Sequence, residues 1–203
     1  MLTRIAAFGL ASLVSACTGL PMGAQGPQQA ILLDRAVALT APAGYCADPQ
    51  ISRPGRGFAF LVACAVLDPD TQVALPGDFG LVTVQAGPAD SATVAGAETD
   101  FLDFLRTEQG RTLLAAGDMS GPVAILASEM QTNRILLYTR DLDAPTIVGT
   151  QAESWRAFTD IAGRTVTVTV RGLSERPLSQ ARARSLLDAT VANLAAVAKA
   201  RTS

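Results

Sequence analysis

A strict alternation of valine and threonine near the C-terminal end constrains the fold more than any other stretch. In Thr165–Val170 every second residue is Val and the residues between are Thr, so one face of a strand would be apolar and the other polar. This pattern predicts a half-buried antiparallel strand. A long helix is predicted from about Ser179 to Ala200, because apolar residues recur there at intervals of three and four. We expect this helix to cover the valine face. Its apolar positions are Leu187, Val191, Leu194 and Ala198.

Further strands and one amphipathic helix are predicted upstream. Phe58–Leu67 is a continuously apolar run, which predicts a central strand buried on both faces. A helix is predicted over Asp100–Gln109, with Asp100 as its N-cap and Gly110 as its C-terminal stop. The other predicted strands are Ala36–Thr40, Leu81–Gln85, Val123–Met130 and Ile135–Tyr138, the last two joined by the four-residue loop Gln131–Arg134.

The N-terminus predicts export. Arg4 is the only charged residue before Asp34, and Ile5–Val14 is a mostly apolar run of ten residues. That run is far shorter than the roughly 20 residues that a helix needs to span a bilayer. It is typical of a targeting signal that is removed from the mature protein. The run ends in Leu-Val-Ser-Ala-Cys at Cys17, which resembles the lipobox of bacterial lipoproteins.

This resemblance implies that Cys17 carries the anchor. In that family the cysteine is diacylated, the chain is cut before it, and the new amino group is acylated. Residues 1–16 would then be the signal peptide, 17–29 the lipidated N-terminus with a flexible tether, and 30–203 a single globular domain. Thr18 stands where lipoproteins of the inner membrane usually carry Asp, so the resemblance implies a periplasm-facing place on the outer membrane of a Gram-negative bacterium. An ordinary secretory signal, and a cytoplasmic protein with an apolar start, remain alternatives.

Two cysteines remain in the domain, Cys46 and Cys64. In an exported protein two remaining cysteines most simply form a disulfide. The bridge would close a loop of about 19 residues and stabilise the fold by roughly 3 kcal/mol. Two buried free thiols, or a redox or metal role, are the alternatives; the 17 intervening residues do not match a Cys-x-x-Cys motif.

The composition removes several classes of function. The chain has no His, which excludes Ser-His-Asp and Cys-His catalysis and most catalytic zinc sites. Its 16 basic and 18 acidic residues are spread along the sequence, so nothing predicts a nucleic-acid partner. We expect no cofactor, no metal and no enzymatic activity.

Three residues are candidates for binding a small ligand. Arg53 and Arg56 belong to a glycine-rich turn and could bind a phosphate, a carboxylate or a lipid headgroup. Arginines that are merely solvated explain the pattern equally well. With Trp155 they would border a pocket between the sheet and the helices. Asp141 and Asp143 are expected to be solvated loop residues and not metal ligands.

The order of elements resembles the Mog1/PsbP-like fold. Val37–Tyr45 reads aliphatic-x-aliphatic-x-Ala-Pro-x-Gly-Tyr, and a terminal helix follows Arg171-Gly172-Leu173. The resemblance covers about residues 30–200. It implies an α+β sandwich in which a curved antiparallel sheet is packed by a middle helix and a long C-terminal helix. The chain also resembles small lipoproteins of alphaproteobacteria, which implies a place in the cell envelope but no particular activity.

These observations favour a non-enzymatic binding or assembly factor of the envelope that has a protein partner. A carrier of a small lipid or anion is the main alternative. A hydrolase that uses carboxylates alone is a further alternative; it would need two acidic side chains roughly 5 to 10 Å apart across a cleft, and the sequence nominates no such pair.

Overall fold

A seven-stranded antiparallel sheet organises the protein, and a smaller three-stranded sheet packs beside it. The structure is a computed structural model that describes residues 28–68, 70, 74–75, 79–116, 122–143, 145 and 147–197. The strands are β1 (Gln29–Leu32), β2 (Val37–Thr40), β3 (Tyr45–Ala47), β4 (Phe58–Ala63), β5 (Gly80–Ala86), β6 (Val123–Gln131), β7 (Arg134–Asp141), β8 (Thr150–Ile161), β9 (Arg164–Leu173) and β10 (Leu194–Ala196). The α-helices are α1 (Cys64–Leu67), α2 (Glu98–Arg106), α3 (Glu108–Ala116) and α4 (Gln180–Ala192), and a 3-10 turn covers Pro54–Arg56.

The predicted valine and threonine alternation lies in β9, near the middle of the large sheet. The strand order is β3-β4-β5-β9-β8-β7-β6, and the small sheet has the order β1-β2-β10. Val166, Val168 and Val170 are fully buried and belong to one hydrophobic cluster with Leu187 of α4. The small sheet supplies further residues to the same cluster. The predicted packing of the C-terminal helix on the valine face is therefore confirmed.

The opposite face of the large sheet is covered by α2 and α3. Leu102, Leu105 and Leu114 of these helices pack against Leu137 of β7 and Phe158 of β8. Apolar side chains thus lie on both faces of the middle strands, as a sheet between two layers requires. The predicted α+β sandwich is confirmed.

The apolar run Phe58–Leu67 does not form one strand. β4 ends at Ala63, and the chain turns into α1 at Cys64. A short apolar run does not distinguish a strand from a buried helical turn. Here the backbone N–H of Cys64 donates to the carbonyl oxygen of Gly44, and a disulfide joins Cys64 to Cys46 on β3. The predicted pairing of the two cysteines is present, and both are fully buried.

The predicted middle helix is two helices with a break at Thr107. Asp100 lies inside α2 and is not its N-cap, because the helix begins after Ala97. Gly110 lies inside α3 and does not end a helix. A Cβ at Gly110 would collide with the carbonyl oxygen of Phe104, so glycine here allows the two helices to turn sharply. The hydroxyl of Thr107 accepts a hydrogen bond from the Gly110 N–H and so acts as the cap of α3.

Two other boundaries differ from the prediction. β6 and β7 are joined by Thr132 and Asn133 alone, since Gln131 already pairs with Arg134. Asn133 has a φ of 52°, a conformation that asparagine tolerates better than most residues. The C-terminal helix begins after Ser179, as predicted, but ends at Ala192. The residues that follow form β10 instead, pairing with β2.

Several predictions fall outside the described residues. These are the signal peptide, Cys17, the tether up to residue 27, and Ala198. β1 begins at Gln29, the last residue assigned to the tether. Within the described ranges no helix is long and apolar enough to cross a membrane.

Candidate functional site

An open groove lies along the outer edge of the large sheet, beside β6. β6 is the last strand in the order, and within the described ranges no strand pairs with its free edge. Helices α2 and α3 pack against it from one side. The groove has a volume of about 500 Å³ and is lined by Arg106, Arg111, Val123, Ala124, Ile125, Leu126, Ala127, Ser128 and Leu142.

A bulge shapes the floor of this groove. The register of β6 against β7 shifts between Ile125 and Ala127, so that Leu126 has no partner residue on β7. A bulge bends a strand and redirects its side chains, and Leu126 is 44% exposed. Leu142, which follows β7, is 59% exposed. The groove therefore presents apolar side chains to solvent next to a free strand edge.

Two arginines form the charged side of the groove. Arg106 ends α2; its guanidinium pairs with Asp103 at 3.2 Å and donates to the Ser128 hydroxyl at 3.0 Å. Arg111 of α3 donates through Nη1 to the carbonyl oxygen of Arg106, one of the carbonyl groups that the end of a helix leaves without an intrahelical partner. The described lining contains both arginines and no carboxylate. Because Asp103 already pairs with Arg106, the two arginines and this carboxylate leave one net positive charge on this side, which favours an acidic ligand.

Hydrogen bonds to both ends of α2 hold this wall of the groove in place. At its start, Glu98 accepts a hydrogen bond of 2.8 Å from the backbone N–H of Asn133 in the β6–β7 turn. That bond is the main reason why the pKa of Glu98 lies below its usual value. At its end, Arg106 reaches Ser128 on β6. The helix is thus tied to the hairpin whose edge it borders.

Asp160 on β8 fastens the loop that leads into α2. Its carboxylate accepts hydrogen bonds from the backbone N–H groups of Thr93, Val94 and Ala95 at 3.2, 2.7 and 2.9 Å, and from the hydroxyl of Thr165. Burial alone would raise the pKa of Asp160, but these hydrogen bonds together outweigh it and lower the pKa. The charged carboxylate is therefore the form that holds the loop.

The structure corrects the predicted grouping of Arg53, Arg56 and Trp155. Arg53 and Arg56 are exposed and lie at the 3-10 turn before β4. Trp155 is on β8, three strands away from β4 in the sheet order, and is only 3% exposed. The three residues do not line one pocket.

The space beneath α4 is occupied by Trp155 itself. The indole Nε1 donates to the carbonyl oxygen of Gln180 at 3.0 Å, and the ring lies 5.2 Å from that of Tyr138. The guanidinium of Arg184 stacks 4.9 Å from the ring centre, and it also pairs with Glu129 at 2.6 Å. A large aromatic side chain between a helix and a sheet stabilises the core, and here it fills the region in which a ligand pocket was expected.

Asp141 is not the solvated loop residue that the sequence predicted. It is the last residue of β7, its side chain is fully buried, and it forms an ion pair with the buried Arg171 of β9. A buried hydrogen bond of 3.0 Å joins Thr139, on the same strand, to Ser154 of β8. Sequence reasoning missed one signal here, the alternation of residues in β7. Every second residue of a strand faces the same side, so Asp141 lies on the face of the buried residues Ile135, Leu137 and Thr139. Asp143 is exposed, as expected.

Sequence comparison does not assign a family. No protein-family model matches the chain, and no curated protein matches it. Within the described residues no three side chains of His, Cys, Asp or Glu group as metal ligands would.

Solved structures show what fold this is. The Ran-binding protein Mog1p of Saccharomyces cerevisiae superimposes with a TM-score of 0.52 at 12% identity, covering 85% of this chain and 96% of that one. A point mutant of Mog1 gives 0.50 at 12% identity, with 83% and 95% covered. Cyanobacterial PsbP from Synechocystis sp. PCC 6803 gives 0.49 at 15% identity, with 90% and 98% covered. The two Mog1 structures show that the chain has the Mog1/PsbP-like fold, as predicted from its order of elements.

Proposed function

We propose that the protein is a lipid-anchored, non-enzymatic binding or assembly factor of the bacterial cell envelope, and that it binds a partner protein in the groove beside β6. The observation that carries the proposal is the free edge of β6 next to two arginines and exposed apolar side chains. A strand edge offers unpaired N–H and C=O groups along its length. An extended segment of a partner can add to such an edge as a further strand.

The chemistry of the groove defines the segment that it would bind. Beyond the bulge, β6 pairs regularly with β7 over Ala127–Gln131. In an antiparallel sheet every second residue of a strand forms hydrogen bonds to the neighbour on a given side, so about two residues of this segment can bond to a partner strand on the outer side. Side chains of that segment on the helix face would meet Arg106 and Arg111. Arginine binds carboxylates through paired, charge-assisted hydrogen bonds. The partner segment is therefore extended and carries Asp or Glu beside apolar residues.

The proposed lipid anchor is the reason for assigning the protein to the cell envelope. The lipobox-like sequence at Cys17 gives the mature chain two or more acyl chains, enough for stable attachment to a bilayer. Residues 18–28 would link the lipid to β1, and a chain of this composition spans about 20 Å by random-coil scaling. We place the domain, residues 30–203, on the periplasmic side of the outer membrane.

The fold is compatible with a binding role. Mog1p of yeast is named a Ran-binding protein, so this architecture serves protein recognition in at least one other chain. A shared fold does not carry a shared partner. We take from the comparison only that a sandwich of this kind can present a protein-binding surface.

Site-specific photo-crosslinking in cells tests the groove. A benzophenone amino acid is placed at Leu126, and a matched control places it at Ser185 on the exposed side of α4. We expect a discrete protein adduct from Leu126 that Ser185 does not give. Mass spectrometry of the adduct should locate the crosslink in a segment that contains Asp or Glu.

Charge reversal completes the test. Arg111→Glu should remove the Leu126 adduct, whereas Arg176→Glu in the exposed loop before α4 should leave it intact. No adduct from Leu126, the same adduct from Ser185, or an adduct that survives Arg111→Glu would each count against the groove as the partner site.

A further inference from the structure

We infer that Arg35, Arg53 and Arg56 form a second interaction surface, which contacts the anionic headgroups of the membrane that carries the protein. We call these three residues the arginine surface. The inference goes beyond the groove and rests on the lipid anchor proposed above. It concerns residues at the other end of the large sheet.

Two segments that are distant in sequence bring the three arginines together. The backbone N–H of Leu33 donates to the carbonyl oxygen of Pro54 at 3.0 Å. The side chain of Leu33 also packs closely against Gly57, where a Cβ would stand 3.1 Å from it. Arg35 follows Leu33 by two residues, and the 3-10 turn contains or adjoins the other two arginines. All three side chains are exposed.

The β1–β2 turn that carries Arg35 has an unusual backbone. Leu33, Asp34 and Arg35 have φ values of 52°, 49° and 70°, three consecutive residues in the left-handed region. This conformation is unfavourable for residues with a Cβ. Such conformations persist only where the surrounding structure holds them, and they concentrate at functional positions. Here the hydrogen bond from Leu33 to Pro54 holds the β1–β2 turn, which carries Arg35, against the 3-10 turn that contains Arg56 and follows Arg53.

The charge of this surface is positive but modest. Nη1 of Arg53 donates to the carbonyl oxygens of Gln50 and Ser52 at 2.6 and 2.7 Å, which fixes its guanidinium at the surface. Two carboxylates, Asp34 and Asp48, belong to the same segments, so the local sum is one positive charge. Asp48 accepts hydrogen bonds from the backbone N–H groups of Gln50 and Ile51. Ile51 is 46% exposed and adds an apolar contact next to Arg53.

Because the tether keeps the domain close to the membrane, a weak attraction between the arginine surface and the lipid is enough for contact. The chain enters β1 at Gln29, and β1 itself packs against the 3-10 turn. A linked surface meets its target at an effective concentration in the millimolar range for a short flexible linker. Each arginine close to an anionic bilayer strengthens binding by roughly fivefold. The anchored domain would thus rest on the bilayer through this surface for much of the time.

The arginine surface and the groove lie far apart in the large sheet. β4, which follows the 3-10 turn, and β6, which borders the groove, are separated by five steps in the strand order. Neighbouring strands are about 4.8 Å apart, so the two surfaces lie roughly 24 Å from each other across the sheet. A domain that rests on the arginine surface directs the groove away from the lipid, toward partners in the periplasm.

Energy transfer from the single tryptophan, Trp155, to a dansyl-labelled lipid measures this contact without a protein label. The acylated full-length mature protein is reconstituted on vesicles of phosphatidylcholine alone, and on vesicles with 30% phosphatidylglycerol. We expect more transfer on the anionic vesicles, and we expect added salt to lower it.

Variants assign the contact to the arginine surface. Replacing all three residues, Arg35→Gln with Arg53→Gln and Arg56→Gln, should reduce transfer on anionic vesicles to the level of neutral ones. Arg35→Gln with Arg56→Gln leaves the hydrogen bonds of Arg53 in place and should weaken the contact roughly 25-fold. The matched control, Arg106→Gln with Arg111→Gln in the groove, should leave transfer unchanged.

Two outcomes would overturn the inference. One is equal transfer on neutral and anionic vesicles; the other is a double variant, Arg35→Gln with Arg56→Gln, that transfers like the wild type. Flotation with the neutral vesicles tests the anchor separately, because acyl chains insert without anionic lipid. A protein that floats with neutral vesicles but shows no lipid-dependent transfer would keep the anchor and refute the arginine surface.

Discussion

The disulfide between Cys46 and Cys64 should account for a large part of the stability of the domain. It joins residues 18 apart in sequence. In the chain-entropy account, a bridge that closes a loop of this length lowers the entropy of the unfolded chain by about 11 cal/mol/K, which is about 3 kcal/mol at 25 °C. A domain of this kind has a net stability of roughly 5–15 kcal/mol. Loss of the bridge should therefore be visible in any equilibrium unfolding experiment.

Urea unfolding of the oxidised protein and of the double variant Cys46→Ala, Cys64→Ala measures the effect. We expect the free energy of unfolding to fall by about 3 kcal/mol. We also expect the urea m-value to rise, because an unfolded chain without the bridge exposes more surface. Wild-type protein that is unfolded by urea in the presence of a reductant should show the same unfolding transition as the variant.

A small decrease would refute the reasoning. If the variant lost less than about 1 kcal/mol and kept the same m-value, the bridge would not be restricting the unfolded chain as the entropy account requires. A much larger loss would instead point to the native state, since both cysteines are fully buried and their truncation leaves a cavity. Reduction of the wild type separates the two causes, because it breaks the S–S bond but removes no side-chain heavy atom.

Three further predictions concern Asp141, Asp160 and Cys17. Asp141→Asn should lower the free energy of unfolding by about 3–5 kcal/mol in urea titrations, because the buried guanidinium of Arg171 would lose the negative charge of this carboxylate. The pKa of Asp160 is lowered on folding, so its stabilising effect is complete above about pH 4 and is lost as the pH falls through the folded pKa; Asp160→Asn should flatten the acid limb of a stability profile. Cys17→Ser should remove acylation, so that intact mass loses the acyl chains and the protein no longer partitions with membranes.

Each of these predictions has an outcome that contradicts it. An Asp141→Asn protein as stable as the wild type would mean that Arg171 is compensated by other groups. An acid limb with the same slope in Asp160→Asn would mean that other carboxylates cause the loss at low pH. A Cys17→Ser protein with unchanged mass and unchanged membrane partition would remove the anchor from the proposal.

Sequence reasoning predicted well those elements in which the apolar residues repeat with a period that fits only one type of secondary structure. The alternation over Thr165–Val170 has a period of two, and a helix cannot place its valines on one face. The apolar positions of α4 have a period near 3.6, which a strand cannot match. Phe58–Leu67 has no period, and its division into β4 and α1 was not visible for that reason.

The boundaries that were wrong depend on contacts with distant parts of the chain. Gly110 reads as a helix stop, but in the fold it allows α3 to approach the backbone of α2 at Phe104. Leu194 reads as a continuation of α4, but it pairs with Leu39 of β2. In both cases tertiary packing decided between two local structures of similar free energy.

By itself the sequence predicted six of the ten described strands and the positions of the middle and C-terminal helices, because these depend on periodicity among neighbouring residues. The fold class was implied by the resemblance in the order of elements, and the bridge between Cys46 and Cys64 was the simplest of the alternatives. Only the tertiary structure decided that Trp155 fills the core, that Asp141 forms a buried ion pair with Arg171, and that the turn carrying Arg35 lies against the 3-10 turn next to Arg53. It also decided that β6 is an edge strand, because the order of strands in a sheet depends on how distant segments pair. The two proposed surfaces lie at opposite ends of that order, so their placement could be known only once the sheet was assembled.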